Sequence, residues 1–331
     1  MRLSRNAFLR TGLVGIAAAL RGASSAHAVS GWPDGVEEIR YRNTADKSLQ
    51  PALYFTPKPS SAVPLLVGCH TWSSDYLQSM SVPYATWCIE NDWAFIHPHF
   101  RGPNNNPQAA GSALVVSDIL SAVEWACASR AIDRSRIYLV GVSGGGMASL
   151  LMAGRAPDVW AGVSSWASIS DLAAWYRERK GPNDSHHRLW LDMHAALGGD
   201  PATDPAAAEE AYLRSPLTYM ANARGIPVDI STGIHDGHTG SVSVSHSIRA
   251  FNALASKADR IADKDITFMV ARERVPDHLR FDGSDPLYGE KGVLLRRESG
   301  RARLTLFEGG HEIIFPAALK WLAAQKRAVT S

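Results

Sequence analysis

The sequence predicts an α/β fold: a doubly wound, mostly parallel sheet with a helical insertion over one edge. Three observations support this prediction. Short apolar runs alternate with segments of helical spacing, segment 170–219 has no strand pattern, and the 331 residues have a globular composition, 45% hydrophobic and 20% charged. Strands that alternate with helices form parallel sheets covered on both faces.

Strands are predicted where apolar runs lie between turn residues, and the first two should form a hairpin. They are 36–42, 52–56, 64–69, 94–97, 136–142, 162–166, 227–232, 266–270 and 302–307. Helices are predicted at 84–91, 117–129, 145–153, 245–256 and 316–326. Segment 272–300 is charged and contains Gly283, Pro286, Gly289 and Gly292, which predicts an irregular excursion or a hairpin.

The first 28 residues have the pattern of a secretory signal peptide. Three arginines within the first ten residues precede the apolar run 11–20, and Ala26 and Ala28 provide small residues before a cleavage site. The run is too short to span a bilayer, which takes about 20 residues; an ordinary N-terminal helix and an uncleaved anchor are the alternatives. We expect residues 29–331 to form one catalytic domain, exported to the periplasm or the medium, without stable membrane insertion after cleavage.

The charge balance and the cysteines exclude some classes of function. A net charge of +2 does not indicate nucleic-acid binding. Cys69, Cys88 and Cys127 lack the spacing of metal sites, and we expect small buried hydrophobic side chains. A Cys69–Cys88 bridge is the alternative.

The strongest chemical signal is Gly141-Val142-Ser143-Gly144-Gly145, which follows an apolar strand and precedes a helix. A G-x-S-x-G sequence in that context presents the serine hydroxyl on a tight turn, at the N-terminus of the next helix. The pattern predicts Ser143 as a nucleophile. A glycine-rich turn without chemistry is the alternative interpretation.

A nucleophilic serine needs a base and an acid that orients the base. His311 follows the last predicted strand after two glycines, and Asp236 follows strand 227–232, so we predict them as base and acid. Their alternatives are a surface histidine and a turn-stabilising aspartate. Asp171 is a rival acid but follows too early a strand and should cap the insertion, and Asp265 precedes its predicted strand.

The oxyanion of the reaction needs backbone N–H donors. Gly144 should supply one donor, and the loop after strand 64–69 should supply the second. We favour Trp72 for the second donor, with Thr71 as the alternate. His70 is predicted to be structural.

This set of residues resembles the α/β-hydrolase superfamily, and the prolyl-oligopeptidase-like branch within it, over about residues 50–326. Asp236 lies nine residues after Pro227, as the branch places its acid, and Gly309-Gly310-His311-Glu312 matches the branch before its last helix. Segment 236–246 is longer than the usual spacing in this branch by a few residues. The resemblance implies a Ser–His–Asp hydrolase that forms an acyl-enzyme. We expect no cofactor, and we expect the helical insertion at 170–219 to lie over the active site.

The resemblance also extends to exported single-domain esterases that act on polysaccharides. Ten tryptophans suggest stacking on sugar rings, and we predict Trp166 and Trp175 as substrate-binding residues. Arg101 could bind a uronate carboxylate. The alternatives are core positions for the tryptophans and a structural ion pair for Arg101.

We therefore predict an esterase for acetyl, methyl or aromatic esters, with an ester substrate, polysaccharide among the candidates, as its partner. A serine peptidase or acylaminoacyl hydrolase, and a non-catalytic binding protein on the same scaffold, are the alternatives. His186, His187, His235 and His238 show no metal-ligand spacing, so we expect no metal.

Overall fold

A nine-stranded sheet forms the centre of the fold in the computed structural model, which describes residues 29–58 and 61–327. Its strands are β1 (Glu37–Arg42), β2 (Leu49–Phe55), β3 (Val63–Cys69), β4 (Ala94–Pro98), β5 (Ile132–Val142), β6 (Gly162–Trp166), β7 (Val228–Gly233), β8 (Val293–Ser299) and β9 (Ala302–Phe307). Their order in the sheet is β1-β2-β4-β3-β5-β6-β7-β9-β8. The predicted signal peptide at 1–28 lies outside the described residues.

The central strands, from β4 to β9 in sheet order, pair in parallel. The two edges are antiparallel: β1 and β2 form the predicted hairpin, β2 pairs with β4, and β8 pairs with β9. Every residue of β3 is buried, as expected for a strand covered on both faces. The mostly parallel, doubly wound α/β fold is confirmed.

Nine α-helices connect and cover the strands within the described residues. They are α1 (Val82–Glu90), α2 (Ala113–Ser129), α3 (Gly144–Arg155), α4 (Leu172–Arg179), α5 (His187–Leu197), α6 (Pro205–Arg214), α7 (Val244–Leu254), α8 (Asp263–Arg272) and α9 (Phe315–Ala323). Helices α1 and α9 pack in one apolar cluster, and α2, α3, α7 and α8 pack in another. In the same part of the chain, no helix has the length and apolarity needed to cross a membrane.

Segment 170–219 is helical, as predicted, and contains α4, α5 and α6. Asp171 caps α4 by accepting a hydrogen bond from the Ala174 N–H group at 2.9 Å. The apolar residues of the insertion form a separate cluster that includes Trp72 and Met147. The insertion therefore packs over the edge of the sheet where the strands β3 and β5 end.

The predicted strand 266–270 is wrong, because these residues lie within α8. Ile266 and Met269 are buried three positions apart, whereas Phe268 between them is 40% exposed. That spacing is helical, and two acidic residues in the first turn favour the helix N-terminus. Five apolar or β-branched residues in a row do not distinguish a strand from a helix by composition.

Segment 272–300 forms short 3₁₀ turns and then β8, which completes an antiparallel hairpin with β9. The prediction of an excursion or hairpin is confirmed. Cys69, Cys88 and Cys127 are all free thiols, and the first two are buried. Burial raises the pKa of the Cys69 thiol to about 12, so this side chain stays protonated and packs as a small apolar group.

Candidate active site

Ser143 occupies a strained turn between β5 and α3. Its φ of 60° and ψ of −123° lie outside the regions that residues with a side chain prefer, at a cost of about 1–3 kcal/mol. Two backbone hydrogen bonds hold the turn: the Ser143 N–H group donates to the Trp166 carbonyl at 2.8 Å, and the Met147 N–H group donates to the Ser143 carbonyl at 2.9 Å. A Cβ on Gly145 would lie 2.3 Å from the Cys69 carbonyl oxygen, which explains the glycine of the motif.

Asp236 and His311 meet at the ends of β7 and β9. His311 Nδ1 lies 2.8 Å from Asp236 Oδ2 and 3.0 Å from Oδ1. Asp236 is 1% exposed, and its Oδ1 also accepts hydrogen bonds from the N–H groups of Gly237 at 2.9 Å and Val242 at 3.1 Å. These backbone donors fix the carboxylate, and the carboxylate fixes the tautomer of the imidazole so that Nε2 faces away as an acceptor.

Two glycines permit the close approach of the acid-bearing and base-bearing loops. A Cβ on Gly233 would lie 2.2 Å from the Gly309 carbonyl group, and a Cβ on Gly240 would lie 2.4 Å from both Asp236 Oδ1 and His311 Cβ. No side chain fits at either position. Gly240 lies in the segment after Asp236 that is longer than the family pattern, and the sequence analysis did not single it out.

The rival acids have other partners. Asp171 caps α4, and Asp265 lies 3.3 Å from His278 Nε2 near the start of α8. Asp265 lies in α8 and not before a strand, and His311 pairs with Asp236 instead.

Ser143 and His311 line one cavity of about 390 Å³, which we call the active-site cavity. Its other walls include Trp72, Met80, Leu189 and Phe315. Within the described residues, Ser143 Oγ makes no hydrogen bond to His311. Catalytic hydrogen bonds are often long in a free enzyme and shorten when substrate binds.

Two backbone N–H groups lie near the Ser143 turn. Gly144 is the first residue of α3, where the N–H group has no partner inside the helix. A Cβ built on Gly144 would lie 2.5 Å from the Trp72 nitrogen, so the two residues are in direct contact. Thr71, the alternate donor, instead gives its N–H group to Gln78 Oε1 at 3.1 Å. The contacts therefore leave Trp72, and not Thr71, available beside Gly144.

His70 lies beneath this loop. Its ring stacks on Phe100, with centroids 3.8 Å apart, and its two nitrogens contact the carbonyl oxygens of Thr71 at 2.9 Å and His99 at 2.8 Å. Burial lowers the pKa of His70 to about 4. The ring is therefore neutral near pH 7 and supports the backbone of the loop, which agrees with the structural role predicted for it.

The two tryptophans predicted to bind substrate are core residues instead. Trp166 is fully buried, and its indole N–H group donates to Ser164 Oγ at 2.8 Å. Trp175 is also fully buried, and its indole donates to the Ser241 carbonyl at 2.8 Å. Trp175 packs edge-on against Trp72, with ring centroids 4.8 Å apart, so it supports the loop that contains Trp72 and presents no face to a sugar.

Arg101 does not face the active-site cavity, which corrects its predicted role in substrate binding. Its side chain is 6% exposed, and its Nε donates to Asp118 Oδ2 at 2.6 Å. Its other nitrogens donate to Asp46 at 2.8 Å, Ser48 at 3.1 Å and Gln108 at 3.2 Å. All the donors of this guanidinium group have intramolecular partners, so the structural ion pair is the correct interpretation.

Sequence reasoning missed the apolar lining of the cavity. Met80 precedes α1, Leu189 lies on α5 of the insertion, and Ile313 and Phe315 follow His311. The apolar run directly after His311 could have indicated the last two. Nothing in the local sequence distinguishes Met80 or Leu189, since their position depends on how the insertion and the loop fold over the sheet.

The four histidines considered for a metal site lie in two separate regions. His186 and His187 belong to the insertion, where the ring of His187 stacks on Trp190 at 5.0 Å. His235 and His238 lie beside Asp236 and contact glutamates. Over residues 29–58 and 61–327, no group of three or more His, Cys, Asp or Glu side chains is arranged to hold a metal ion.

Solved structures with similar folds include peptidases and an esterase. Acylaminoacyl peptidase of Pyrococcus horikoshii superposes with a TM-score of 0.56 at 16% identity, over 90% of this chain and 43% of that chain. A puromycin-hydrolysing peptidase of Mycobacterium tuberculosis gives 0.53 at 16%, over 87% and 38%. A thermostable esterase gives 0.51 at 15%, over 89% and 64%.

These superpositions show a shared α/β-hydrolase fold. The chain spans less than two thirds of the length of each of these proteins. A comparison with curated protein sequences found no match. The sequence model of the prolyl oligopeptidase family matches residues 112–278, which is just over half of the chain. This chain therefore belongs to the prolyl oligopeptidase family of serine hydrolases.

Proposed function

We propose that this protein hydrolyses carboxylic esters through an acyl-enzyme on Ser143, with His311 as base and Asp236 as the acid that orients it. One observation carries the proposal: His311, which is paired with the buried Asp236, lines the same cavity as the strained Ser143. Nucleophile, base and orienting acid are the set that acyl transfer requires.

The reaction follows from this geometry. Ser143 Oγ attacks the ester carbonyl while His311 Nε2 takes its proton, and the Asp236 carboxylate stabilises the imidazolium that results. Collapse of the tetrahedral intermediate breaks the bond to the alcohol, which leaves with the proton from His311. Water then repeats the sequence on the acyl-serine, with His311 again as base, and releases the acid and free Ser143.

The N–H groups of Gly144 and Trp72 are the proposed oxyanion donors. The backbone is held in place at both residues. Gly144 is the first residue of α3, and the Trp72 carbonyl accepts hydrogen bonds from the backbone N–H group of Asn104 at 2.9 Å and from Asn104 Nδ2 at 3.1 Å. Fixed donors need no rearrangement when negative charge develops, and one such donor contributes about 10²–10³ in rate.

The walls of the active-site cavity favour a neutral, apolar acyl group. Met80, Leu189, Ile313 and Phe315 are among the apolar residues that line it. Glu312 is the acidic side chain of the lining, and Lys291 holds it at 2.7 Å. An anionic acyl group would meet this carboxylate and would lose its hydration against apolar walls, so we expect poor turnover of acidic esters.

Esters on polysaccharides are the narrower class that the sequence suggested. Trp166, Trp175 and Arg101 do not support it, because they are buried or fully paired. Within our proposal, a polysaccharide would place only its ester group in the cavity and would carry its sugar rings outside it. Acetyl and aromatic esters fit this arrangement better than methyl esters of uronates.

Amide hydrolysis is the second candidate, because the family match is to prolyl oligopeptidases. The same three residues perform acyl transfer from amides, with His311 protonating an amine leaving group. A panel that pairs acyl esters with the corresponding anilides and short peptides distinguishes the two. We expect kcat/KM for the ester to exceed that for the amide, and the reverse order would favour a peptidase.

A Ser143→Ala variant tests the proposal directly. We expect hydrolysis of p-nitrophenyl butyrate to fall by at least about 10³-fold, and labelling by a fluorophosphonate probe to disappear. Ser73→Ala is the matched control, because Ser73 lies in the same cavity and should leave labelling intact. Undiminished turnover in Ser143→Ala would refute the nucleophile, and a wild-type protein that neither reacts with the probe nor hydrolyses esters would indicate a binding protein.

Export is also part of the proposal, and it rests on the basic and apolar pattern of residues 1–28. Expression of the full chain in a bacterial host, followed by N-terminal sequencing of the exported protein, tests it. We expect a mature N-terminus after Ala28. Uncleaved protein retained in the cytoplasm would contradict export.

A further inference from the structure

His235 lies between two carboxylates from different parts of the fold. Its Nδ1 is 2.8 Å from Glu273 Oε2, and its Nε2 is 2.5 Å from Glu308 Oε1. A protonated imidazole donates from both nitrogens, whereas a neutral one donates from one. Both hydrogen bonds therefore exist together only when His235 is charged.

This side chain connects the two loops of the candidate active site. His235 directly precedes Asp236 after β7, and Glu308 precedes His311 by three residues after β9. The backbone reinforces the same connection, because the His235 N–H group donates to the Gly309 carbonyl at 3.0 Å. Glu273 ends α8, so the imidazole also ties both loops to that helix.

We propose that His235 is a positioning residue, which holds the acid-bearing and base-bearing loops at the separation that hydrolysis requires. This inference rests on the proposed function. His235 does not contact the reacting atoms; it acts through the backbone on Asp236 and, by way of Glu308, on His311. Catalysis depends steeply on such placement, and a misplacement of 1 Å can cost about 10²-fold in rate.

The charge of His235 gives the arrangement a pH dependence. The groups that face it are Glu308 from the β9 loop and Glu273 from α8, and His238 of its own loop lies 3.6 Å from Glu273. Arg274 and Arg280 line the surface depression beside the two glutamates.

Hydrogen bonds with Glu308 and Glu273 raise the pKa of His235 in the folded protein. Both hydrogen bonds of His235 are therefore present below about pH 6.5, the pKa of histidine in an unfolded chain. They are lost as the pH rises through the higher pKa that His235 has in the folded protein.

Two substitutions, one at each partner, remove the contact between His235 and Glu308. We expect His235→Gln and Glu308→Gln each to lower kcat for p-nitrophenyl butyrate about 3–10-fold with KM within twofold of wild type, because the loops shift while the cavity walls remain. Glu308 is 54% exposed on its side chain, so Glu308→Gln should fold even if His235→Gln does not. His278→Gln is the matched control, because it removes another His–carboxylate contact, with Asp265, away from the active-site cavity.

The pH profile separates positioning from a general loss of stability. We expect the kcat of the wild-type protein to fall at alkaline pH. His235→Arg keeps a permanent cation between the two glutamates, so we expect a smaller fall in kcat for this variant. Unchanged kcat across the pH range in both His235→Gln and Glu308→Gln would overturn the proposal. A loss of melting temperature without a change in kcat would overturn it equally.

A measurement without turnover keeps this proposal distinct from the proposed function. The imidazole of His235 is titrated by NMR in the Ser143→Ala protein and in Ser143→Ala combined with Glu308→Gln. We expect a raised pKa in the first protein and a lower value in the second. Equal values in both would refute the contact with Glu308, whatever the outcome for ester hydrolysis.

Discussion

Thr71 and Trp72 are neighbours in the chain, but their backbone nitrogens lie in different surroundings. Thr71 donates to Gln78 Oε1 at 3.1 Å, and its hydroxyl donates to the same oxygen at 2.9 Å. The Trp72 nitrogen lies against Gly144 instead. One side chain, Gln78, therefore fixes the backbone of Thr71, directly before the residue whose nitrogen lies against Gly144.

Gln78→Ala should weaken hydrolysis although Gln78 lies outside the active-site cavity. Loss of the acceptor frees the Thr71 N–H group and hydroxyl, so the following residue, Trp72, is no longer fixed beside Gly144. We expect kcat to fall about 5–50-fold, less than for the removal of an oxyanion donor. Gln78→Glu keeps an acceptor for Thr71 and should lose less; steady-state kinetics on a butyrate ester measures both, and equal losses would contradict this role.

Gly144→Ala should reduce the rate by displacing one of the two donors. The added methyl group would lie 2.5 Å from the Trp72 nitrogen, a distance that backbone atoms must move to relieve. We expect kcat to fall about 10²–10³-fold with a small change in KM, since the oxyanion exists only after attack. The control is Gly292→Ala, because a Cβ at Gly292 meets no atom within 4 Å. A KM effect with kcat preserved would argue against the oxyanion role.

The sequence predicted those parts of the fold and site that depend on local patterns. The motif around Ser143 and the position of His311 after the last strand followed from strand–turn–helix order alone. The choice of Asp236 also followed, since it needs only the end of β7. The sequence favoured Trp72 over Thr71 as the second donor but left Thr71 open, because the contact that distinguishes them comes from Gln78, seven residues away, whose side chain folds back onto the loop.

The wrong predictions concern residues whose tertiary packing differs from what the local sequence suggests. The run 266–270 is β-rich in composition, but the edge of the sheet beyond β7 belongs to β9. Trp166 and Trp175 are predicted to bind substrate, but both are fully buried. The insertion has its own apolar core, and Trp175 is buried in it. Arg101 follows the end of a strand, where active-site residues of this fold often lie, but its guanidinium group forms an ion pair with Asp118 on α2.

Arg101→Ala should lower stability and leave substrate recognition unchanged. Asp118 is fully buried, and removing its cation leaves an uncompensated carboxylate, which costs about 3–5 kcal/mol. Denaturant unfolding measures the loss, and Arg101→Lys should recover only part of it because lysine lacks the planar fork. The KM for an ester that carries a carboxylate should not rise more than the KM for a neutral ester. A selective rise would restore a role for Arg101 in binding substrate.

The length of the acyl chain should govern kcat/KM, because the cavity is lined by Met80, Leu189, Ile313 and Phe315. Each methylene buried against these walls contributes about 0.8 kcal/mol, or roughly fourfold in kcat/KM. We expect p-nitrophenyl esters to improve from acetate to butyrate and then to level off as the cavity fills. Leu189→Ala should flatten the rise, whereas Leu191→Ala, an exposed position two residues along the same helix, should not. A series that is flat in the wild type would show that the acyl group does not occupy this cavity.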